Sequence, residues 1–407
     1  MAAAVVLAAG FTACGGGGST AATPVGVLGS ATPANPGLQV PAGFSVSVIA
    51  TVGGARELAA LPNGDLIVGT GGTSVAIVSN AEAPGTVPKP TVFATLPEGP
   101  AQGVAFGSGF VFVATQHGVW RIPYTTGAQS GTPQQIAAVR QGPVASDTDG
   151  DVHGTTSVAV SGTTLYVGVG SSCNACTQET DPTRATVQRM GIDGSGMTTQ
   201  AKHFRNAIAL ATDPSNGTVW AGGAGQDNLP AGHPYEFLDP VSTRSAPADY
   251  GWPQCEENQH AYTAGANCSG AVVPALEFPA YSTIIGAAFY PSGVSGTYAF
   301  PAAWRGGMYV SMHGSWHTNG AIPIAPPHVA FVPFSGGSPS RPVDWSDPTA
   351  QWSEFFTGLQ QPSGSRIGRT TGVAVGAEGS IFIADDQTGS IYRIRPTGSS
   401  PSSGLRR

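Results

Sequence analysis

The chain has 407 residues, of which 41% are hydrophobic and only 10% are charged, and its formal net charge is −7. It has no basic run, and only Lys89 and Lys202 are lysines, which argues against nucleic acid as a partner. With 58 glycines and 34 prolines, the composition favours short strands joined by tight turns and excludes helical bundles, whose outer faces need charged residues.

The chain opens with an apolar segment that ends at Cys14 and is too short to span a membrane. We interpret residues 1–14 as a lipoprotein-type signal segment, because small residues precede Cys14 as they do at lipoprotein cleavage sites. Residues 15–38 are rich in Gly, Ser and Pro and predict a flexible linker. The expected location is extracytoplasmic, either lipid-anchored through Cys14 in the bacterial envelope or periplasmic. The alternative is a secreted protein in which Cys14 is buried or free.

A repeated unit of two short apolar strands around a Gly-rich turn occupies the rest of the chain. The first apolar positions of the six units are Leu58, Val104, Val158, Ile208, Ala287 and Val373. The spacing of the first units, roughly 50 residues, is typical of β-propeller blades. We therefore predict an all-β, six-bladed β-propeller over residues 39–396, followed by a disordered tail at 397–407. The alternating segment that starts at Phe44 is expected to close the last blade, and an open β-sandwich is the alternative.

The four cysteines that follow Cys14 form two pairs that are close in sequence. Cys173 lies three residues before Cys176, and Cys255 lies thirteen residues before Cys268. A Cys-x-x-Cys pair is also found in redox motifs and in half of a zinc site. Because no second Cys-x-x-Cys exists and no histidine has zinc-finger spacing, we predict two structural disulfides in an oxidising compartment.

Several segments carry a resemblance to a known family. They are Ser-Ser-Cys-Asn-Ala-Cys at 171–176, His-Phe-Arg-Asn at 203–206, Asp-Tyr-Gly-Trp-Pro-Gln-Cys at 249–255, Ser-Met-His-Gly-Ser-Trp at 311–316 and Gly-Arg-Thr-Thr-Gly-Val-Ala-Val at 368–375. Together they resemble the glucose/sorbosone dehydrogenase family, most closely its sorbosone-type branch, from about Pro41 to Ile394. That family consists of six-bladed propellers that use pyrroloquinoline quinone (PQQ).

The resemblance implies a sugar substrate, an external electron acceptor and roles for individual residues. His153 matches the catalytic base, which takes the hydroxyl proton as hydride leaves for the quinone. Arg205 and Asn206 match the Arg-Asn pair that faces the quinone, where a cation stabilises developing negative charge. His313 lies at the end of a repeat strand and Arg369 just before one, so both are expected at the channel mouth as cofactor-binding residues, with Arg369 binding a PQQ carboxylate.

The position of these residues along the repeats supports a common site. Gln102, His153, Arg205 and Arg369 each precede the first strand of a unit by one to five residues, so they are expected at one rim of the ring. Gln102 is a further candidate donor to the cofactor. The alternatives are an exposed rim histidine for His153, a structural salt bridge for Arg205 and a strand-end contact for Gln102.

Calcium is the second ligand that the resemblance implies, with Asp227 and Glu236 in the matching segment. A capped turn is the alternative interpretation of this segment. The acidic segment 147–151 offers carboxylates that could orient His153 or bind a cation. It fails as an EF-hand, because the twelfth position is Val158 rather than Glu.

Three functions compete at this point. The first is an exported PQQ-dependent sugar dehydrogenase of the sorbosone type. The second is a non-catalytic binding module that keeps the fold, which Gly154 favours because the family has Asn after its catalytic histidine. The third is a lactonase-like hydrolase, which needs a central calcium held by more inward carboxylates than the repeat loops provide.

Overall fold

The computed structural model describes residues 32–33, 37–85, 87–143, 152–176, 178–317 and 324–398. Cys14 and the acidic segment 147–151, to which the sequence assigned roles, lie outside these residues. No helix among the described residues is long and apolar enough to cross a membrane.

Twenty-nine strands make up nearly all of the regular structure in the described chain. The first half contains β1 (Thr32–Pro33), β2 (Phe44–Thr51), β3 (Ala55–Ala60), β4 (Leu66–Thr70), β5 (Ser74–Val78), β6 (Thr91–Thr95), β7 (Gly103–Gly107), β8 (Phe110–Ala114), β9 (Gly118–Pro123), β10 (Gln134–Ala138), β11 (Thr156–Ser161), β12 (Thr164–Val169), β13 (Thr186–Gly191) and β14 (Thr198–Lys202). The second half contains β15 (Ala207–Thr212), β16 (Val219–Gly223), β17 (Glu236–Asp239), β18 (Ala248–Asp249), β19 (Cys255–Glu256), β20 (His260–Ala261), β21 (Leu276–Phe278), β22 (Ile284–Tyr290), β23 (Gly307–Met312), β24 (His328–Ser335), β25 (Ser338–Pro339), β26 (Ser353–Phe356), β27 (Thr370–Val375), β28 (Ile381–Asp385) and β29 (Ser390–Pro396). Two 3₁₀ turns, Val241–Thr243 and Ala302–Trp304, accompany them.

These strands form six antiparallel blades, as the sequence repeats predict. Blades one to three are β3–β6, β7–β10 and β11–β14; β18 adds to blade three in parallel. Blade four is β15, β16, β17 and β21, blade five is β22, β23, β24 and β26, and blade six is β27, β28, β29 and β2. The first strands of consecutive blades contact one another around the whole circle, from β3 through β27 and back to β3. They therefore line the central channel.

The ring closes with the first long strand of the chain, which confirms the predicted closure. Strand β2 pairs antiparallel with β29, from Phe44 opposite Pro396 to Thr51 opposite Ser390. The two-residue strand β1, which lies in the predicted linker segment, pairs with β2. Because β2 pairs with β29, the third strand of the last blade has no unpaired edge.

Glycines let neighbouring blades approach closely at the channel. A Cβ on Gly168 would lie 1.9 Å from the carbonyl oxygen of Ala207, and one on Gly372 would lie 2.4 Å from that of Arg56. No side chain fits at such distances, so both positions require glycine. The close approach fixes the starts of β15 and β3, where Arg205 and Arg56 lie.

Candidate functional site at one rim of the channel

Polar residues of every blade meet at one rim of the channel. In each blade the first strand starts where the second strand ends, as in the pairs Thr156–Val169 and Ala207–Gly223. The rim is therefore built from the residues before the first strands and after the second strands. Sequence positions that are 330 residues apart, such as Arg56 and Asp386, become direct neighbours there.

One half of the rim is organised around Asp386, which follows the second strand of blade six. Its carboxylate accepts a hydrogen bond from Nε2 of His313 at 2.9 Å and pairs with Nη1 of Arg56 at 2.7 Å. Nε of Arg56 donates to Oε1 of Gln102 at 3.2 Å. Arg56, Gln102, His313 and Asp386, from blades one, two, five and six, therefore form one connected group, which we call the Asp386 cluster.

Arg369 supports this cluster through the backbone. Its Nε donates to the carbonyl oxygen of His313 at 3.1 Å, and its Nη2 donates to that of Gly314 at 2.8 Å. The guanidinium thus fixes the chain that presents His313 to the mouth. The sequence predicted a bond to a cofactor carboxylate for Arg369, and in this structure its main observed role is to hold the His313 backbone.

The other half of the rim contains His153, which precedes the first strand of blade three. Its Nδ1 lies 3.1 Å from the carbonyl oxygen of Ser171 and 2.8 Å from the Ser171 hydroxyl. Since a carbonyl oxygen can only accept, Nδ1 carries the proton and Nε2 keeps its lone pair. Nε2 makes no hydrogen bond to the described residues, so it is available as a proton acceptor at the mouth.

Arg205 is buried and is held by several protein acceptors. It donates through Nε to the carbonyl oxygen of Asn174 at 3.1 Å and through Nη2 to the side-chain oxygen of Asn174 at 2.9 Å. Nη2 also pairs with Asp227 at 3.1 Å, and Nη1 donates to the carbonyl oxygen of Ala224 at 3.3 Å. The salt bridge that the sequence left as an alternative is therefore present. These bonds engage four of its five N–H groups, so Arg205 acts on the mouth mainly through its charge.

The protonation states follow from burial and neighbouring charge. Burial, together with the positive charge of Arg205, holds the pKa of His153 well below its usual value. Burial lowers the pKa of His313 to about 4 although Asp386 acts in the opposite direction. Burial would raise the pKa of Asp386, but the His313 ring and the charge of Arg56 hold it below its ordinary value. At neutral pH both imidazoles are uncharged and Asp386 is ionised.

The mouth retains polar atoms that could bind an anionic, planar cofactor. Nε2 of Gln102 and Oδ1 of Asn206 are buried and have no hydrogen-bond partner. Nη2 of Arg56 makes no hydrogen bond to the described residues. Three guanidinium groups, those of Arg56, Arg205 and Arg369, outnumber the two paired carboxylates at the rim. Unpaired donors and surplus positive charge fit a ligand that carries carboxylates and carbonyl oxygens.

The two predicted calcium ligands, Asp227 and Glu236, already have partners within the protein. Asp227 is paired with Arg205, and Glu236 accepts the backbone N–H of Ile284 at 3.0 Å. Among the described residues, three His, Cys, Asp or Glu ligand atoms converge only at Cys173, Cys176 and Glu179, where both sulfurs belong to a disulfide. Asp227 and Glu236 therefore do not form a complete cation site with a third such side chain.

A second buried carboxylate, which the sequence did not single out, is that of Glu256 at the Gly225–Gln226 turn. The backbone N–H of Gly225 bonds to Glu236 and that of Gln226 bonds to Glu256. Burial raises the pKa of each carboxyl to about 8. Oε1 of Glu256 and Oε1 of Gln226 are buried without a partner, and a cavity of about 10 Å³ adjoins Glu236. Oxygen ligands of this kind suit calcium, so Gln226 and Glu256 join the predicted Asp227 and Glu236 as candidate ligands.

Both predicted disulfides are present. Cys173 bonds to Cys176 and Cys255 bonds to Cys268, with Cα–Cα distances of 5.7 and 5.5 Å. The second disulfide lies in the insertion between β18 and β21, which includes the hairpin of β19 and β20. These bonds confirm the structural interpretation of the cysteines over the zinc alternative.

The sequence analysis missed Arg56, Ser171, Asn174, Glu256 and Asp386. A positional signal was available for three of them, because Ser171, Asn174 and Asp386 follow the second strands of their blades just as His313 does. Arg56 lies inside the first strand of blade one rather than before it. Glu256 belongs to an insertion, which no repeat pattern covers.

The comparisons with known proteins agree with this fold. A family model described as TrAA12-like matches residues 251–397, just over a third of the chain. No curated protein sequence matches the chain.

Solved structures match over most of the chain. The holo pyranose dehydrogenase PQQ domain from Coprinopsis cinerea has a TM-score of 0.71 and 16% identity, covering 88% of this chain and 97% of that one. The calcium structure of a Carbohydrate-Active Enzymes Family AA12 protein from Trichoderma reesei has a TM-score of 0.70 and 19% identity, covering 90% and 98%. A putative oxidoreductase from Thermus thermophilus, described as a glucose dehydrogenase, has a TM-score of 0.54 and 14% identity, covering 86% and 100%.

At these identities the solved structures establish the six-bladed fold. The resemblance inferred from the sequence motifs is confirmed as a likeness to AA12 and glucose dehydrogenase propellers. The assignment to the sorbosone-type branch stays a prediction.

Proposed function

We propose that this protein is a PQQ-dependent dehydrogenase that oxidises a CH–OH or aldehyde group of a sugar and passes the electrons to an external acceptor. The observation that carries the proposal is the convergence of His153, Arg205, Asn206, His313 and Arg369 at one rim of a six-bladed ring. Structural neighbours that contain a PQQ domain or are named as glucose dehydrogenases support it. A sorbosone-type substrate is the finer form of this proposal.

Different residues at the mouth are proposed to bind different groups of the cofactor. Arg56 and Gln102 have donors available for the carboxylates and carbonyl oxygens of PQQ, and Asn206 lies on the opposite side of the rim. When bound, PQQ supplies the two-electron acceptor to which the substrate hydride passes. Arg205 and Arg369 keep positive charge at the same rim, which would stabilise negative charge as it develops on the bound cofactor.

His153 is the proposed general base. Ser171 binds Nδ1 and holds the neutral imidazole in the tautomer that leaves the Nε2 lone pair unprotonated. Nε2 accepts the hydroxyl proton of the substrate as the carbon–hydrogen bond breaks. A depressed pKa keeps the base unprotonated at neutral and mildly acidic pH.

Calcium is the proposed second cofactor, and its candidate ligands are Gln226, Asp227, Glu236 and Glu256. Two buried carboxylates with raised pKa values are costly to ionise without a cation nearby. A bound calcium would compensate their charge and would stiffen the Gly225–Asp227 turn that faces Arg205. The calcium structure of the Trichoderma reesei AA12 protein supports this choice of ion.

Reconstitution tests the proposal directly. Purified protein is mixed with PQQ and CaCl₂, and dye reduction is followed with a panel of aldoses, ketoses and sorbosone. Sugar-dependent reduction that requires PQQ supports the dehydrogenase, and a matched sample with His153→Gln separates enzymatic turnover from free-PQQ chemistry. If PQQ does not bind, or binds without any turnover, the non-catalytic binding module becomes the better assignment.

The location is a proposal of its own. Cys14 is proposed as the lipidated first residue of a mature, membrane-anchored protein, on the basis of the small residues that precede it. Expression of the wild-type chain and of Cys14→Ala in a bacterial host, followed by membrane fractionation, tests it. An anchored wild type and a released variant support the anchor. A wild type that is soluble and carries a free Cys14 thiol contradicts it.

A further inference from the structure

The loop of residues 171–176 contacts both proposed catalytic side chains. The carbonyl and hydroxyl oxygens of Ser171 bind Nδ1 of His153, while the backbone N–H of Ser171 donates to the carbonyl oxygen of Arg205 at 2.8 Å. Ser171 therefore lies between the imidazole and the arginine backbone. Its hydroxyl in turn donates to the carbonyl oxygen of Cys173 at 2.6 Å, inside the same loop.

Asn174 extends these contacts to the Arg205 guanidinium. Its backbone oxygen accepts from Nε of Arg205 and from the indole Nε1 of Trp252 at 3.0 Å. Its side-chain oxygen accepts from Nη2 of Arg205 and from the backbone N–H of Asp227 at 2.8 Å, and its Nδ2 donates to the carbonyl oxygen of Asp227 at 3.1 Å. Asn174 thus satisfies both Arg205 and the loop that carries the arginine's counter-ion.

The Cys173–Cys176 disulfide closes the loop around Asn174. Both cysteines are buried against Trp252 and Ala185. The backbone N–H of Ser172 donates to Glu179 at 2.6 Å, and the carbonyl oxygen of Ser172 accepts from Val152, the residue before His153, at 3.2 Å. The loop is fixed at both ends and in the middle, so the distance between His153 and Arg205 depends on it.

We propose that the disulfide-closed loop 171–176 is one positioning element that holds His153 and Arg205 in a fixed mutual arrangement, with Asn174 as its central residue. Asn174 and Ser171 act through the two side chains that they hold. The catalytic consequence rests on the function proposed above, but the positioning itself does not. A misplacement of about 1 Å at such a site costs up to about 100-fold in rate.

The first test needs neither cofactor nor activity. The full chain is labelled with ¹⁵N-histidine, His153 is assigned with His153→Gln, and the tautomer and pKa of His153 are measured in wild type, Asn174→Ala and Asn216→Ala. Asn216 is the matched control, because it also holds a turn with its amide but lies between β15 and β16 at the far rim. We expect Asn174→Ala to raise the His153 pKa and mix its tautomers, because the Arg205 charge moves away. Asn216→Ala should match wild type.

The second test uses the disulfides in the same way. One double variant, Cys173→Ser and Cys176→Ser, removes the disulfide of the loop. The control double variant, Cys255→Ser and Cys268→Ser, removes the disulfide outside the loop. Only the first double variant is expected to change the tautomer and pKa of His153. Asn174→Asp keeps the acceptor for Arg205 and for the Asp227 N–H, so it should return the tautomer part of the way to wild type.

Kinetics completes the test if the reconstituted wild type is active. Asn174→Ala should lower kcat by about 10- to 100-fold with a smaller change in KM. An inactive wild type would count against the proposed function and would leave the NMR result to decide the positioning. A His153 tautomer and pKa in folded Asn174→Ala that equal those of wild type, or that change equally in Asn216→Ala, would overturn the proposal.

Discussion

Asp386 lies between His313 and Arg56 and joins blade five to blade one across blade six. Its carboxylate is 2.9 Å from Nε2 of His313 and 2.7 Å from Nη1 of Arg56. The ionised carboxylate accepts both bonds, so Nε2 of His313 keeps its proton and the Nδ1 lone pair stays unbonded to described residues. This arrangement predicts a measurable contribution of Asp386 to stability.

Asp386→Asn is expected to lower the free energy of unfolding by about 1–3 kcal/mol at pH 7, since a partly buried charged group loses its bonds. The folded pKa of Asp386 is depressed, so its contribution is complete above the unfolded value of about 3.9 and declines as the pH falls below it. Urea denaturation of wild type and variant at pH 7, 5 and 3.5 measures the difference. Asp344→Asn, at an exposed turn, is the control. An equal loss in both variants would contradict the role of Asp386.

Calcium is expected to stabilise the protein more as the pH rises. Glu236 and Glu256 have raised pKa values near 8, so the metal-free folded state binds more protons than the unfolded state between about pH 4.5 and 8. Metal-free stability should therefore fall across this window, while calcium affinity should rise because its ligands must be ionised. Thermal unfolding with calcium and with chelator at pH 6, 7 and 8 measures both slopes.

The matched variants identify the site. Glu256→Gln should remove most of the calcium effect and make the metal-free slope shallower, because Glu236 still contributes to it, whereas Glu354→Gln, at an exposed position of β26, should change neither. A calcium-induced shift that is the same at pH 6 and pH 8, or that survives in Glu256→Gln, would exclude this group as the site.

His153→Gln is expected to reduce turnover by about 10²–10⁴-fold with PQQ affinity nearly unchanged, because a general base acts in the transition state. His203→Gln, an exposed histidine paired with Asp249, is the control and should retain full activity. The wild-type rate should not fall as the pH drops through 6.5, because burial and Arg205 keep the His153 pKa well below that value. An acid limb centred at pH 6.5 would contradict the assignment of His153 as base.

Arg56→Met is expected to weaken PQQ binding by about 10- to 100-fold, as loss of one charge-assisted bond costs about 1.5–3 kcal/mol. The readout is the equilibrium binding of PQQ, measured by its absorbance or by calorimetry, so it is independent of turnover. Arg121→Met, on the outer part of blade two where the guanidinium lies over Phe110, serves as control. Unchanged affinity in a folded Arg56→Met protein would remove Arg56 from the binding site.

The fold was accessible from the sequence because each blade repeats the same two-strand pattern. The starts of the six units, from Leu58 to Val373, all fall in the first strands of blades, and the segment at Phe44 closes the ring as predicted. The rim location of His153, Arg205 and Arg369 followed from their common position before a first strand. Periodicity therefore predicts the architecture and the rim positions that precede the first strands.

The hydrogen-bond partners of the site residues could not be predicted from the repeat pattern. That Arg205 is held by Asn174 and Asp227, and that Arg369 is engaged by backbone carbonyls, depends on loop conformation rather than on repeat position. Glu256 comes from an insertion that has no counterpart in other blades. The ion pair between Arg56 and Asp386 forms only when the ring closes. It joins residues 330 positions apart, so the sequence alone does not predict it.

Closure of the ring by β2 and β29 determines when the channel mouth can form during synthesis of the chain. Arg56 belongs to the first blade and Asp386 to the last, so their ion pair forms across the seam only after nearly the whole chain has emerged from the ribosome. A chain truncated before β29 would lack the pairing with β2 that closes the ring. If the protein binds PQQ as proposed, loss of this strand should release the cofactor while the other blades keep their secondary structure.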